Sequence, residues 1–201
     1  MNYLAHAYLS FNKPDILVGN LICDFVKGRT KFQYPIGIQK GMELHRAIDY
    51  FTDTHEVTQQ AKKYFKPAYR LYAGAFVDIT YDYFLANDTQ QFFNANQLLL
   101  FSNKTYAIID GNTVALPEKF EHIFPYMKNQ NWLYNYQFVD GVEKSYQGLV
   151  KRSAYLSNAT LAMDVFKQHT NELQLCYQIF FPQLKNFVLN WFTQNGLQIQ
   201  L

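Results

Sequence analysis

His45 and Asp49 stand four residues apart in the segment GIQKGMELHRAIDYFTD, whose apolar residues recur with a helical period. At about 100° per residue, Ile38, Gly41, Met42, Leu44, Ile48 and Phe51 fall in one arc of a helix, and His45 and Asp49 lie inside it. Gln39, Lys40, Glu43, Arg46 and Asp53 take the other side. Side chains four apart share a face, with Cβ atoms about 5–6 Å from one another. The segment LYAGAFVDITYDYFL repeats the pattern more sharply: it is apolar or aromatic nearly all round, and its acids Asp78 and Asp82 are again four apart. Two carboxylates on one buried face lose hydration and repel each other unless something positive compensates. In GNLICDF, Asn20 and Asp24 share a side with Leu17 and Leu21, and His6 sits in the apolar stretch NYLAHAYL. Several elements therefore carry an oxygen or imidazole ligand toward an interior surface, which predicts a bound cation. Oxygen-rich His/Asp sites suit Mn²⁺, Mg²⁺ or Fe²⁺ better than a thiolate zinc site.

Each residue also has a plainer role available. His45 with Asp49 can be an internal ion pair, Asp78 and Asp82 can be satisfied by arginine or tyrosine, and His6 can be a core or capping histidine. Asn20 reads as a hydrogen-bond partner rather than a ligand, and Cys23 points to another face of its helix. The run Asp53-Thr54-His55 ends one helix and caps the next, with Thr54 as N-cap. His122 and His169 lie among polar residues, and Trp132 with its neighbours reads as core. No GxSxG, Walker or GxGxxG motif supports nucleophile-elbow or nucleotide-loop chemistry.

The elements that must position these residues are helices. Gly and Pro are sparse, at 9 and 6, and fall mostly between periodic segments. The pattern predicts helices near 2–10, from Pro14 to Lys27, Pro35 to Thr52, Thr54 to Phe65 (stopped at Pro67), Ala68 to Ala86 and Thr89 to Ile109. Shorter pieces follow near 117–128 and 138–152, then a long helix from Ala159 to Gln194 that Pro182 should kink or divide. The expected fold is an all-α, single-domain helical bundle over residues 1–201. Hydrophobic residues make up 49% of the 201 and aromatic residues 18%, ample for a packed core and against disorder. A net charge of +2 argues against nucleic-acid binding by bulk electrostatics. Cys23 and Cys176 form neither a CxxC pair nor a disulfide framework, which suits a reducing compartment. The start MNYLAHAYLSF does not read as a secretory signal, and no apolar run approaches the roughly 20 residues of a membrane span. A cytoplasmic protein without a membrane partner is expected.

The segments MNYLAHAYLS, GNLICDFVKG, ELHRAIDYFTD, FVDITYDYFLAN and NWLYNYQFVDGVEKSYQGLVKRS, in this order, resemble the acyl carrier protein phosphodiesterase family through nearly the whole chain. That family looks like a divergent branch of the HD-domain phosphohydrolases, although no His-Asp dipeptide occurs here and HR-x-I-D spaces the pair by four instead. The resemblance implies an HD-domain-like fold and hydrolysis of the phosphodiester joining 4′-phosphopantetheine to a carrier-protein serine, with Mn²⁺ as the metal. Under this reading His6, Asp24, His45 and Asp78 are the expected metal ligands. Asp49 or Asp82 orients or deprotonates the attacking water, and Arg46 reaches the phosphate. Acyl carrier proteins are acidic, so a basic docking surface is expected from Lys27, Arg29 and Lys31, from Lys62, Lys63, Lys66 and Arg70, and from Lys151-Arg152. The alternative is an HD-type hydrolase acting on a nucleotide or other small phosphate ester.

Overall fold

Helical periodicity and scarce Gly and Pro give a chain of helices and turns, described by a computed structural model over residues 1–198. Among the described residues there is no strand, and no helix is long and apolar enough to cross a membrane. The helices are α1 (Tyr3–Tyr8), α2 (Pro14–Ile22), α3 (Ile36–Thr54), α4 (Glu56–Tyr69), α5 (Ala73–Ala86) and α6 (Ala95–Asp110). They are followed by α7 (Glu118–Asn129), α8 (Trp132–Asn135), α9 (Val139–Arg152), α10 (Thr160–Gln168) and α11 (Thr170–Gln194). Short 3₁₀ turns join several of them, two of which, Cys23–Phe25 and Gly28–Gln33, lie between α2 and α3.

The all-round apolar helix occupies the centre. Phe76, Val77, Tyr81 and Leu85 of α5 are fully buried, and the helix packs against α1, α4, α9 and α11. Burying each such side chain contributes about 1.5–3 kcal/mol. The helices α2 and α3 cross backbone to backbone. A Cβ on Gly19 would overlap the Ile38 carbonyl oxygen, and one on Gly41 would overlap that of Ile16. Only glycine permits this approach, and it sets Asn20 of α2 directly against His45 of α3.

Several helix ends differ from the sequence expectation for identifiable reasons. The second helix stops at Ile22 rather than Lys27, and the tighter 3₁₀ turn that follows swings Asp24 off the buried face into solvent. Thr54 does not cap the next helix; it is the last residue of α3, its Oγ1 donating to Tyr50 O at 2.7 Å. His55 is the N-cap instead, its Nδ1 accepting from Val57 N at 3.3 Å. Pro67 does not stop α4, and Pro182 leaves α11 whole. Each lies on an exposed face, where the carbonyl that its missing N–H frees can meet water. The long C-terminal helix is divided at His169. The sixth helix starts at Ala95, later than Thr89, because Asn94 caps it, accepting from Gln97 N at 3.0 Å. Gln97 Oε1 in turn accepts from Phe93 N at 2.6 Å.

Candidate metal centre

Three elements meet at one cluster. His6 comes from α1, His45 and Asp49 from α3, and Asn20 of α2 lies between them. His6 and His45 are 4% and 5% exposed, and their rings stack at 4.1 Å between centroids and 13° between planes. Asp49 sits where both rings point: Oδ1 is 3.2 Å from His6 Nε2, and Oδ2 is 3.1 Å from His45 Nε2.

The opposite ring nitrogens are fixed by Asn20. Its side-chain Nδ2 donates to His6 O at 2.8 Å and to Ser10 Oγ at 3.0 Å, which turns Oδ1 toward His6 Nδ1 at 2.7 Å. The Asn20 backbone carbonyl receives His45 Nδ1 at 2.7 Å. An oxygen that can only accept requires a proton on the facing nitrogen, so both rings carry Nδ1–H. His6 thus presents an Nε2 lone pair, and so does His45 once that nitrogen is deprotonated. Locking the far nitrogen of a histidine on a carbonyl is how proteins orient imidazoles toward a metal. His6 Nε2 is buried without a hydrogen-bond partner, since Asp49 Oδ1 lies near it but out of hydrogen-bond line. An unpartnered buried lone pair, a second imidazole and a carboxylate with mutually close donor atoms fit a divalent cation.

The electrostatics agree with that fit. Burial lowers the His6 pKa, the neighbouring His45 lowers it further, and it falls to about 4, so the ring is neutral at pH 7. Burial also opposes charge on His45, but hydrogen bonds to Asp24 and Asp49 outweigh it and raise the pKa to about 9. Burial would raise Asp49, yet the two imidazoles hold its carboxyl below the usual carboxylate range. Without metal, a protonated His45 and the Met1 ammonium, 3.4 Å from Asp49 Oδ1, share the compensating charge. A bound cation would compensate Asp49 in place of the His45 proton and leave His45 Nε2 free to ligate.

The other expected ligands, Asp24 and Asp78, lie outside that triad of close donor atoms. Asp24 Oδ1 reaches His45 Nε2 at 3.2 Å from an exposed position at the mouth, and that contact lowers its pKa. Asp78 lines the same cavity, its Oδ1 3.2 Å from the Met1 amino group; burial raises its carboxyl and the ammonium opposes the rise only in part. Asp82 does not face the cavity. It is fully buried, and its two oxygens accept from the backbone N–H groups of Leu4 (2.7 Å) and Ala5 (3.2 Å). It thus caps α1 from α5 and is not among the residues that line the cavity. Burial nevertheless raises it to about 7, against those two bonds.

Arg46 is exposed and is not among the residues that line the cavity; Arg152, at the C-terminal end of α9, lines it instead. The cavity encloses about 310 Å³ between Met1, Tyr3, Phe25, Ala75 and Leu149, with His6, Asp24, His45 and Asp78 exposed to it. Nothing in the sequence marks Arg152 as a wall of this site, since more than a hundred residues separate it from the nearest ligand, whereas Tyr3 shares a face of α1 with His6 three residues on. Of the basic docking candidates, Lys27, Arg29, Lys63, Lys66 and Arg70 are exposed. Lys62 is not: it is 9% exposed, with its ammonium 2.7 Å from Asp53 Oδ1. Burial against the start of α5 commits it to that ion pair, so it is withdrawn from the surface.

The family profile described as acyl carrier protein phosphodiesterase matches residues 1–184. A protein of that name from Photorhabdus laumondii is 30% identical over 184 residues, covering 92% of this chain and 93% of the relative. One from Yersinia pestis is 29% identical, covering 92% and 95%, and one from Klebsiella pneumoniae strain 342 is 28% identical, covering 94% and 98%. No solved structure matches the chain.

Proposed function

The chain belongs to the acyl carrier protein phosphodiesterase family, and on that footing we propose that it hydrolyses the phosphodiester joining 4′-phosphopantetheine to a serine of acyl carrier protein. The products are the apo carrier and free 4′-phosphopantetheine. The observation that carries this reading is the stacked His6–His45 pair, which lines a cavity, with Asp49 across both Nε2 atoms.

His6, His45 and Asp49 would hold the metal, with Mn²⁺ as the ion we favour and Mg²⁺ or Fe²⁺ as the alternatives. Bound there, a divalent ion supplies Lewis-acid neutralisation of phosphate charge and a more acidic water. The chain's own residues divide the rest. Asn20 orients both imidazoles. Asp24, at the mouth and ionised, takes the proton of the attacking water. Asp78, on the cavity wall beside the Met1 amine, would return a proton to the leaving serine oxygen. Arg152 meets the phosphate in place of Arg46. Asp82 acts through structure, by holding α1 and with it His6.

The carrier protein is acidic, and Lys27, Arg29 and Lys31 begin two residues beyond Phe25 in the cavity wall. Together with Lys63, Lys66 and Arg70 they would form its docking face. The substrate places the reaction in the cytoplasm. Incubation of the purified protein with holo-acyl carrier protein and Mn²⁺, read by intact mass, tests the reading. Loss of the phosphopantetheine mass, abolished by a chelator, is the expected result. A carrier of unchanged mass in the presence of metal would overturn it.

A further inference from the structure

A second cavity, of about 610 Å³, lies against the first, and Asn2, Tyr3, Ile79 and Arg152 line both. It is built by α8, α9 and the start of α1, and the metal centre takes no residue from its far end. Its volume falls within the roughly 300–1,000 Å³ of small-molecule sites. We propose that this cavity receives the pantetheine arm of the substrate, with Arg152 at the junction facing the phosphate. This deepens the carrier-protein reading and rests on it.

The wall chemistry supports that occupant. Asn2 Nδ2 donates to Tyr136 OH at 2.8 Å and Asn135 Nδ2 to Gln130 O at 2.6 Å, which leaves each Oδ1 as an acceptor. Gln130 Oε1 accepts from Trp132 Nε1 at 3.0 Å, which leaves its Nε2 as a donor. Pantetheine is a flexible chain with two secondary amides, each needing a partner for its N–H and its C=O, separated by apolar segments. Two acceptors and a donor spread along a wall that also carries Trp132 and Ile79 match that alternation. A phosphodiester held beside His6 and His45 has two substituents. The serine leads out to the carrier protein, and the arm must lie in whatever space adjoins the phosphate. This cavity adjoins it through Arg152.

Gly148 on α9 provides a test without damage to the frame. A Cβ there meets only Arg152 Nη1, at 3.6 Å, so a longer side chain grows into the cavity, and helix propensity favours the change. Gly148→Ala and Gly148→Leu are compared with the wild-type chain on holo-carrier protein and on bis(p-nitrophenyl) phosphate, a small diester with no arm. For Gly148→Leu, the ratio of carrier to small-diester turnover should fall at least about tenfold, and for Gly148→Ala by less than about twofold. Calorimetric titration with pantetheine should show binding to the wild-type chain that Gly148→Leu loses. A Gly148→Leu protein with native melting behaviour, an unchanged turnover ratio and unchanged pantetheine affinity would overturn the proposal. Should the wild-type chain hydrolyse the small diester but leave holo-carrier protein intact, the carrier reading fails by itself. The pantetheine titration then still decides the cavity: binding that Gly148→Leu abolishes supports it, and no binding overturns it.

Discussion

His45 with Asp49 on α3 and Asp78 with Asp82 on α5 share one spacing and the same anomaly of acids on an apolar face, yet they end in different chemistry. Asp49 lies between two imidazole Nε2 atoms at 3.2 and 3.1 Å, whereas Asp82 accepts from two backbone N–H groups at 2.7 and 3.2 Å. The face of α3 packs on α2, from which Asn20 projects, and receives the His6 side chain of α1. The face of α5 meets α1 end-on, where unpaired N–H groups require an acceptor. A buried carboxylate signals that something compensates it; the element it meets decides whether that is a cation or a helix terminus.

Substitution at each acid breaks the comparison most strongly. Asp49→Asn should reduce metal-dependent hydrolysis by at least roughly 10²–10³-fold and abolish metal-induced stabilisation in a thermal melt. Asp82→Asn keeps the metal response but leaves one N–H of α1 facing an amide, costing about 1–3 kcal/mol of stability. For a chain of this size that lowers the melting temperature by about 2–4 °C per kcal/mol. If Asp82→Asn lost activity as deeply as Asp49→Asn while melting normally, the two faces would not differ as described.

Next in size is the crossing that brings Asn20 to His45. Gly19→Ala drives a Cβ into the Ile38 carbonyl and should cost about 1–3 kcal/mol or more in chemical denaturation, with weaker metal binding. Asn20→Ala frees the His6 ring without touching a ligand and should weaken metal affinity by about 10–100-fold. An affinity equal to wild type in a titration of either variant would separate the glycine crossing from the metal centre.

A smaller effect is expected from pH. The His45 pKa is raised above its ordinary value of 6.5 to about 9 in the metal-free chain. Its contribution to stability is therefore fully present below pH 6.5 and lost as pH rises through about 9. Ligation needs the neutral ring, so metal affinity should rise with pH toward about 9, and binding at pH 7 should release a proton. Calorimetry in buffers of different ionisation enthalpy reads that proton directly. Smallest is the docking term: Lys27→Glu with Arg29→Glu should raise the KM for the carrier severalfold at low salt and little at high salt, while Lys63→Glu tests the second cluster in the same assay.

What the sequence makes legible is what repeats locally. The 3.6-residue period located the helices and placed His45 and Asp49 on one face, because both partners lie on one element. The stop expected at Pro67 and a division expected at Pro182 do not occur, because a proline on an exposed face leaves its freed carbonyl to water and the helix continues. The fate of Asp82 was illegible for a different reason: its partners, Leu4 and Ala5, lie 78 and 77 residues away. Spacing alone also gave no ground for ranking Asp49 as a base and Asp78 as a ligand: Asp49 lies between the two imidazoles, 3.4 Å from the Met1 amine, and Asp78 lies 3.2 Å from that amine.

Metal held by His6, His45 and Asp49 is what the proposed hydrolysis requires. Anomalous diffraction at the manganese edge from crystals grown with Mn²⁺ measures it most directly. The account predicts one peak within coordination distance of His6 Nε2, His45 Nε2 and an Asp49 oxygen. A peak on Asp78 or Asp82 away from the histidines, or an empty centre in a crystal that holds manganese elsewhere, would contradict it.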